Sequence, residues 1–148
     1  MKQIIIVRRD LNMSPGKLAA QVSHASMAFL INMIRKNVCD ISFVEPERVI
    51  SYVQFDIDTW DNWINGIFTK IICEAKNKHS LEKVYTIANE LGLKENEDYF
   101  LIKDCCLIEL EPEEYDESGV GRTLTCIGFR PLPDDIAAKI SKKYQLYK

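Results

Sequence analysis

The chain has 148 residues, 47% hydrophobic and 28% charged, with a formal net charge of -3, proportions that exclude a disordered or fibrous protein and suit one compact domain with its own core. No apolar run approaches the roughly 18 residues a membrane span needs. Lys2 precedes only a short apolar run before Arg8-Arg9, without a small-residue cleavage site, so the start of the chain reads as a strand and the expected compartment is the cytoplasm.

Gln3–Arg8 is a continuous run of Ile and Val, which predicts a strand covered on both faces. The loop DLNMSPG leads into a predicted helix from about Pro15 to Arg35, with Ser14 as N-cap and Pro15 as first helical residue. Leu18, Val22, Ala25, Phe29 and Met33 recur at three- and four-residue spacing and form its core-facing stripe, while Ala19 and Ala28 allow close packing. Residues 37–66 carry weaker signals. Glu45–Pro46 marks a break, Val49–Phe55 suits a strand or a helical turn, and Asp58–Trp63 suits a helix start. Ile67–Ala75 (IFTKIICEA) predicts a strand. Leu81–Leu91 predicts an amphipathic helix capped by Ser80 and closed by Gly92. Tyr99–Lys103 and Thr123–Phe129 are predicted strands, and Pro133–Lys143 a final helix whose Asp134-Asp135 pair suits its N-terminal dipole. Between those two strands runs an acidic loop, Glu109–Val120, with six carboxylates; a connection of that length is functional or mobile, or else a solvated insertion. The alternation predicts a single α/β domain over residues 1–148, a mixed four-stranded sheet with helices packed on both faces.

The five cysteines, Cys39, Cys73, Cys105, Cys106 and Cys126, are odd in number and argue against a disulfide framework. No CxxC-type pair is present, and His24 and His79 lie far apart in sequence, so no metal site is expected. Cys105-Cys106 reads as a pair of small buried hydrophobes. Residues 1–40 hold six Lys/Arg against two Asp, a local charge of +4 that leaves -7 on the rest. Such a basic unit fits either a nucleic-acid face or an unevenly charged, solvated surface.

An open α/β sheet places its ligand crevice beyond the carboxyl ends of its strands. The free N–H groups at a helix start favour phosphate or a developing oxyanion there. Gly16 allows close approach to the backbone and Lys17 adds a point charge, although the loop lacks P-loop spacing. Gln21 and His24 follow Lys17 along one side of the helix, whereas Ser23 is rotated away by roughly 100°. Asp104 ends the run YFLIK, where a carboxylate serves as general base or orienting group.

Together these segments resemble the class II peptidyl-tRNA hydrolases, the archaeal and eukaryotic type. The resemblance rests on IIIVRRDLNMSPGKLAAQVSHASMA, on Trp63 and KIICEA, on LEKVYTIANELGL, on FLIKD, and on TLTCIGFRPLPDDIAAKI; it covers most of the chain except roughly 37–62 and 107–120. It implies hydrolysis of the ester between a peptide's carboxyl end and the 3′ ribose of tRNA, without metal or organic cofactor, since an ester is already activated relative to an amide. It implies Lys17, Asp104 and Thr123 as catalytic residues, with Gln21, Ser23 and His24 as accessory ones. In that scheme Asp104 orients or deprotonates a water, Lys17 and the helix start stabilise an oxyanion or a phosphate, and Thr123 bonds the reacting group or the water. Arg8, Arg9 and Arg122 are then expected on the tRNA backbone, and a homodimer is compatible with the family. The segment after Asp104 departs from the pattern: Cys105, Cys106, Leu107, Ile108 and Glu109 stand where the family typically has Ala-Gly-Arg-Thr-Gln. Two rival readings follow, a non-catalytic member binding RNA or a protein partner, and a hydrolase of another ester or amide.

Overall fold

The computed structural model describes residues 1–39 and 49–148; the break expected at Glu45–Pro46 lies outside them. The first strand, β1 (Gln3–Arg8), is buried along its whole length. Ile4 and Ile6 point into one layer of the core and Ile5 and Val7 into the other, which is why its apolar run is continuous rather than alternating. Helix α1 (Pro15–Lys36) begins at the expected Ser14–Pro15 signal and buries Gln21, Ala25 and Phe29.

Two short strands follow α1, β2 (Val38–Cys39) and β3 (Ile50–Ser51), paired antiparallel. The Val49–Phe55 segment is thus a two-residue strand and then irregular. Helix α2 (Ile57–Thr59), capped by Asp56, runs on into a π turn, Trp60–Ile64, which buries Trp63. Strand β4 (Lys70–Ala75) begins three residues later than expected. Ile67 remains 92% exposed, and Phe68 takes a left-handed φ of 55° that ends any extended run before it. Helix α3 (Lys78–Glu90) is capped by Asn77, which accepts the Ser80 N–H; Ser80 lies inside the first turn rather than at the cap. Gly92 closes it at φ 78°, as expected.

Strands β5 (Tyr99–Asp104), β6 (Glu114–Tyr115) and β7 (Gly121–Phe129) and helix α4 (Asp134–Ser141) complete this single α/β domain. The sheet order is β4-β1-β7-β5, with β1 parallel to β4 and β7 antiparallel to both β1 and β5. Those are the four expected strands. The fifth, β6, corrects the four-stranded reading: it comes from the acidic segment and pairs with Arg122 and Gly121. It is held by side chains rather than by apolar pattern. Asp116 accepts the N–H groups of Ser118 and Val120 and a hydrogen bond from the Arg122 guanidinium, an Asx-turn arrangement that closes the hairpin through polar bonds.

Helix α1 covers one face of the sheet and α3 and α4 the other. The seat of α1 is Gly128 on β7. A Cβ placed there would lie 2.3 Å from the Ala25 carbonyl oxygen, so only glycine lets helix and sheet approach this closely. The last residues lie along the outer edge of β4, where Gln145 O accepts the Glu74 N–H and the Tyr147 N–H donates to Ile72 O.

Candidate active site

The first turn of α1 is tied down on both sides. Ser14 Oγ accepts the Lys17 N–H at 3.3 Å, while its own N–H and hydroxyl donate to Glu109 at 2.6 and 2.7 Å. This turn aims Lys17 at the end of β5, where its Nζ lies 2.6 Å from Asp104 Oδ2. Gln21, one turn further on, donates to the same oxygen at 2.8 Å. Asp104 Oδ1 accepts the Cys106 N–H at 2.9 Å, made possible by a left-handed Cys106, φ 54°. The Gln21 amide is fixed in turn by Thr125, whose hydroxyl donates to Gln21 Oε1 at 2.7 Å. The departure from the family pattern after Asp104 therefore leaves both carboxylate oxygens held.

Burial by itself pushes the Asp104 carboxyl upward, but the bonds from Lys17, the Cys106 N–H and Gln21 outweigh it and hold the group below its ordinary value. At neutral pH the site contains a carboxylate with its charge compensated. A carboxylate of lowered basicity orients a water and a cation better than it removes a proton.

Thr123 stands opposite Asp104 in the β5–β7 register, but its hydroxyl turns to the acidic hairpin. It donates to Glu111 O at 2.6 Å and accepts the Glu113 N–H at 3.0 Å. The side chain is fully buried and its bonding capacity is occupied, so in this geometry Thr123 anchors the hairpin and does not face the crevice. Ser23 and His24 line a groove of about 710 Å³ that also takes in Gln21, Asp104, Cys105 and Arg122. Ser23 thus belongs to the same opening despite its rotation from the Lys17 side. Arg122 is half-buried against Asp116, Gly16 is exposed with open space around it, and Arg9 lies over the Tyr147 ring and donates to Lys148 O.

Arg8 is corrected outright. It is 3% exposed, its guanidinium bonded to Asp10, to Glu113 and to Leu124 O, so no donor is free for a phosphate. It pins the acidic hairpin to the end of β1. Arg8→Gln is expected to lower stability by about 2–3 kcal/mol, read by urea unfolding; an unchanged midpoint would contradict this structural role.

Three partners were not foreseen from sequence: Glu109 on Ser14, the Cys106 N–H, and Thr125. Only Thr125 had a local signal, since it lies two residues from Thr123 and so on the same strand face. Among the described residues, no group of three or more His, Cys, Asp or Glu is gathered to hold a metal ion.

Comparison with known proteins agrees with this architecture. The family model described as peptidyl-tRNA hydrolase PTH2 matches residues 1–147. A curated peptidyl-tRNA hydrolase of Methanopyrus kandleri is 32% identical over 130 residues, covering 88% of this chain and 84% of that protein. One of Sulfolobus acidocaldarius is 29% identical over 146 residues, covering 99% of each chain. One of Thermococcus sibiricus is 28% identical over 145 residues, covering 98% of this chain and 96% of its own. With the match running from the first strand through the last helix, the chain belongs to the PTH2 family of peptidyl-tRNA hydrolases.

Proposed function

We propose that this protein hydrolyses the ester joining the carboxyl end of a peptide to the 3′ ribose of tRNA. The observation that carries the reading is the Lys17–Asp104 pair, 2.6 Å apart, whose buried carboxylate stands at the end of an open groove. In the reaction a water oxygen attacks the acyl carbon and the carbonyl oxygen takes up negative charge. The carbon–oxygen bond to the ribose then breaks, and the 3′ oxygen leaves with a proton. Lys17, aimed at the end of β5 by the first turn of α1, stabilises that oxyanion. Asp104 holds the ammonium in place and orients the water, and Gln21 orients Asp104. Thr123 acts as a positioning residue, through the hairpin it anchors. Ser23, His24 and Arg122 meet the substrate along the groove. The exposed Arg9 supplies a salt-sensitive contact to the tRNA backbone. A cytoplasmic location and a homodimer belong to the same reading. Among the described residues, no helix is long and apolar enough to cross a membrane.

The test is turnover of an N-blocked aminoacyl-tRNA by wild type and by Asp104→Asn. The variant is expected to lose at least about a hundredfold in kcat, and normal turnover by it would remove the role given to Asp104. A wild-type protein that binds tRNA at low salt but releases no peptide would favour the non-catalytic reading instead.

A further inference from the structure

The two outer edges of the sheet differ. The outer side of β4 is covered by Gln145–Tyr147, whereas among the described residues no strand pairs with the outer side of β5. Alternation along an antiparallel strand decides which backbone groups are unused there. The Tyr99 N–H and C=O face outward, bonded to Lys94 and Asn96 of the preceding turn, while Asp98 O accepts the Arg130 N–H on the inner side. Leu101 and Lys103 share the outward set, and Phe100 and Ile102 the inward one. The irregularity in register is taken up by β7. Ile102 pairs with Cys126 and Lys103 with Leu124, leaving Thr125 as the additional residue, so alternation along β5 continues to Asp104.

The groove lies beside this edge. Its wall is one stripe of α1, His24, Met27, Ile31 and Arg35, at three- and four-residue spacing, and its floor runs from Phe100 to Cys105. One end is closed where Asn32 donates to Asn96 O; the other end is Asp104.

We propose that the peptide portion of the substrate lies in this groove as an added strand parallel to β5, bonded to the outward main-chain groups of Leu101 and Lys103. The inference rests on the peptidyl-tRNA hydrolase reading. The direction follows from the chemistry: the ester terminates the peptide's carboxyl end and must lie at Asp104, and β5 itself runs toward Asp104. A strand added through its backbone also answers the specificity problem. An enzyme acting on peptides of arbitrary sequence needs contacts that read the main chain and not the side chains. From Leu101 to Asp104 the strand advances about 10 Å, so a peptide of several residues reaches Leu101 and a single blocked aminoacyl group does not.

The test compares N-acetyl-tetrapeptidyl-tRNA with N-acetyl-aminoacyl-tRNA carrying the same final residue. Leu101→Pro removes one outward N–H and leaves the ladder to β7 intact. The ratio of kcat/KM, long substrate over short, is expected to fall about three- to tenfold, the worth of one hydrogen bond; an unchanged ratio overturns the proposal. A proline that prevents folding is covered by amide exchange on the wild-type protein, using an N-acetyl-tetrapeptidyl amide of 3′-amino-3′-deoxyadenosine as a non-hydrolysable probe. Slowed exchange at Leu101 and Lys103 with this probe, and not with the aminonucleoside alone, supports the added strand. Equal slowing with the aminonucleoside alone places the tRNA end in the groove and overturns it, as does no slowing at saturation. Peptide-specific protection without wild-type turnover of either substrate would support the groove assignment and defeat the hydrolase reading.

Discussion

Lys17→Ala is expected to lower turnover of an N-blocked aminoacyl-tRNA by about two to three orders of magnitude, the usual cost of removing a preorganised oxyanion donor. The same change has a second signature, because Lys17 is the partner of a buried carboxylate. Asp104 titrates below its ordinary value in the folded chain. Its contribution to stability is therefore present above the unfolded carboxyl value, about 4, and is lost as pH falls through the lowered folded value. Without Lys17 the upward push of burial meets only the Cys106 N–H and Gln21. The carboxyl rises, and the variant is destabilised at neutral pH by about 3 kcal/mol. On acidification the wild type loses what the variant has already lost, so the gap between their melting temperatures narrows from pH 7 toward pH 3. A gap of constant width would show that the pair contributes no coupled stability.

Gly128→Ala is expected to destabilise the fold by about 3 kcal/mol or more, a fall in Tm of roughly 6–12 °C for a chain of this size. The added Cβ would meet the Ala25 O, C and Cα at 2.3, 2.8 and 2.9 Å. All three are backbone or α-carbon atoms of α1, so no side-chain rotation relieves the contact and Ala25→Gly does not rescue it. The helix must move off the sheet, carrying Lys17 and Gln21 with it, and a displacement of about 1 Å is enough to cost about a hundredfold in rate. Calorimetry and turnover measured on the same preparation test both effects. A variant that melts like wild type would mean that α1 is not seated where Gly128 places it.

Features written in short stretches were legible in the sequence. The IIIV run, the Ser14–Pro15 start of α1 and Gly92 after α3 are local signals, and local structure followed them. The features missed are those fixed by partners distant in sequence. Arg8 reads as a surface charge until Glu113, 105 residues later, is brought to it. β6 carries no apolar alternation because Asp116 and its turn hold it. β4 starts late because Phe68 leaves the extended region to pack its ring against Trp63, a tertiary preference that outweighs the β propensity of IFTKII. At the site, Lys17, Gln21 and Asp104 were each conspicuous by position, but their meeting depends on β5 lying two strands from β1 with α1 above both. Thr123 stands opposite Asp104 only through the pairing of β5 with β7, and the direction of its hydroxyl depends on the hairpin.

The Thr125 hydroxyl lies 2.7 Å from Gln21 Oε1 and 3.0 Å from Ile102 O, yet it has a single proton to give. While Asp104 is ionised, the Gln21 amide must present its NH2 to the carboxylate, and the Thr125 proton belongs to Oε1. Once Asp104 is protonated, a flipped amide can accept from the acid and donate to Thr125, whose hydroxyl then donates to Ile102 O instead. The orientation of one buried glutamine is thereby a two-position indicator of charge at the neighbouring carboxyl. The side-chain NH2 resonances of Gln21 would register protonation at the centre of the site without any substrate bound.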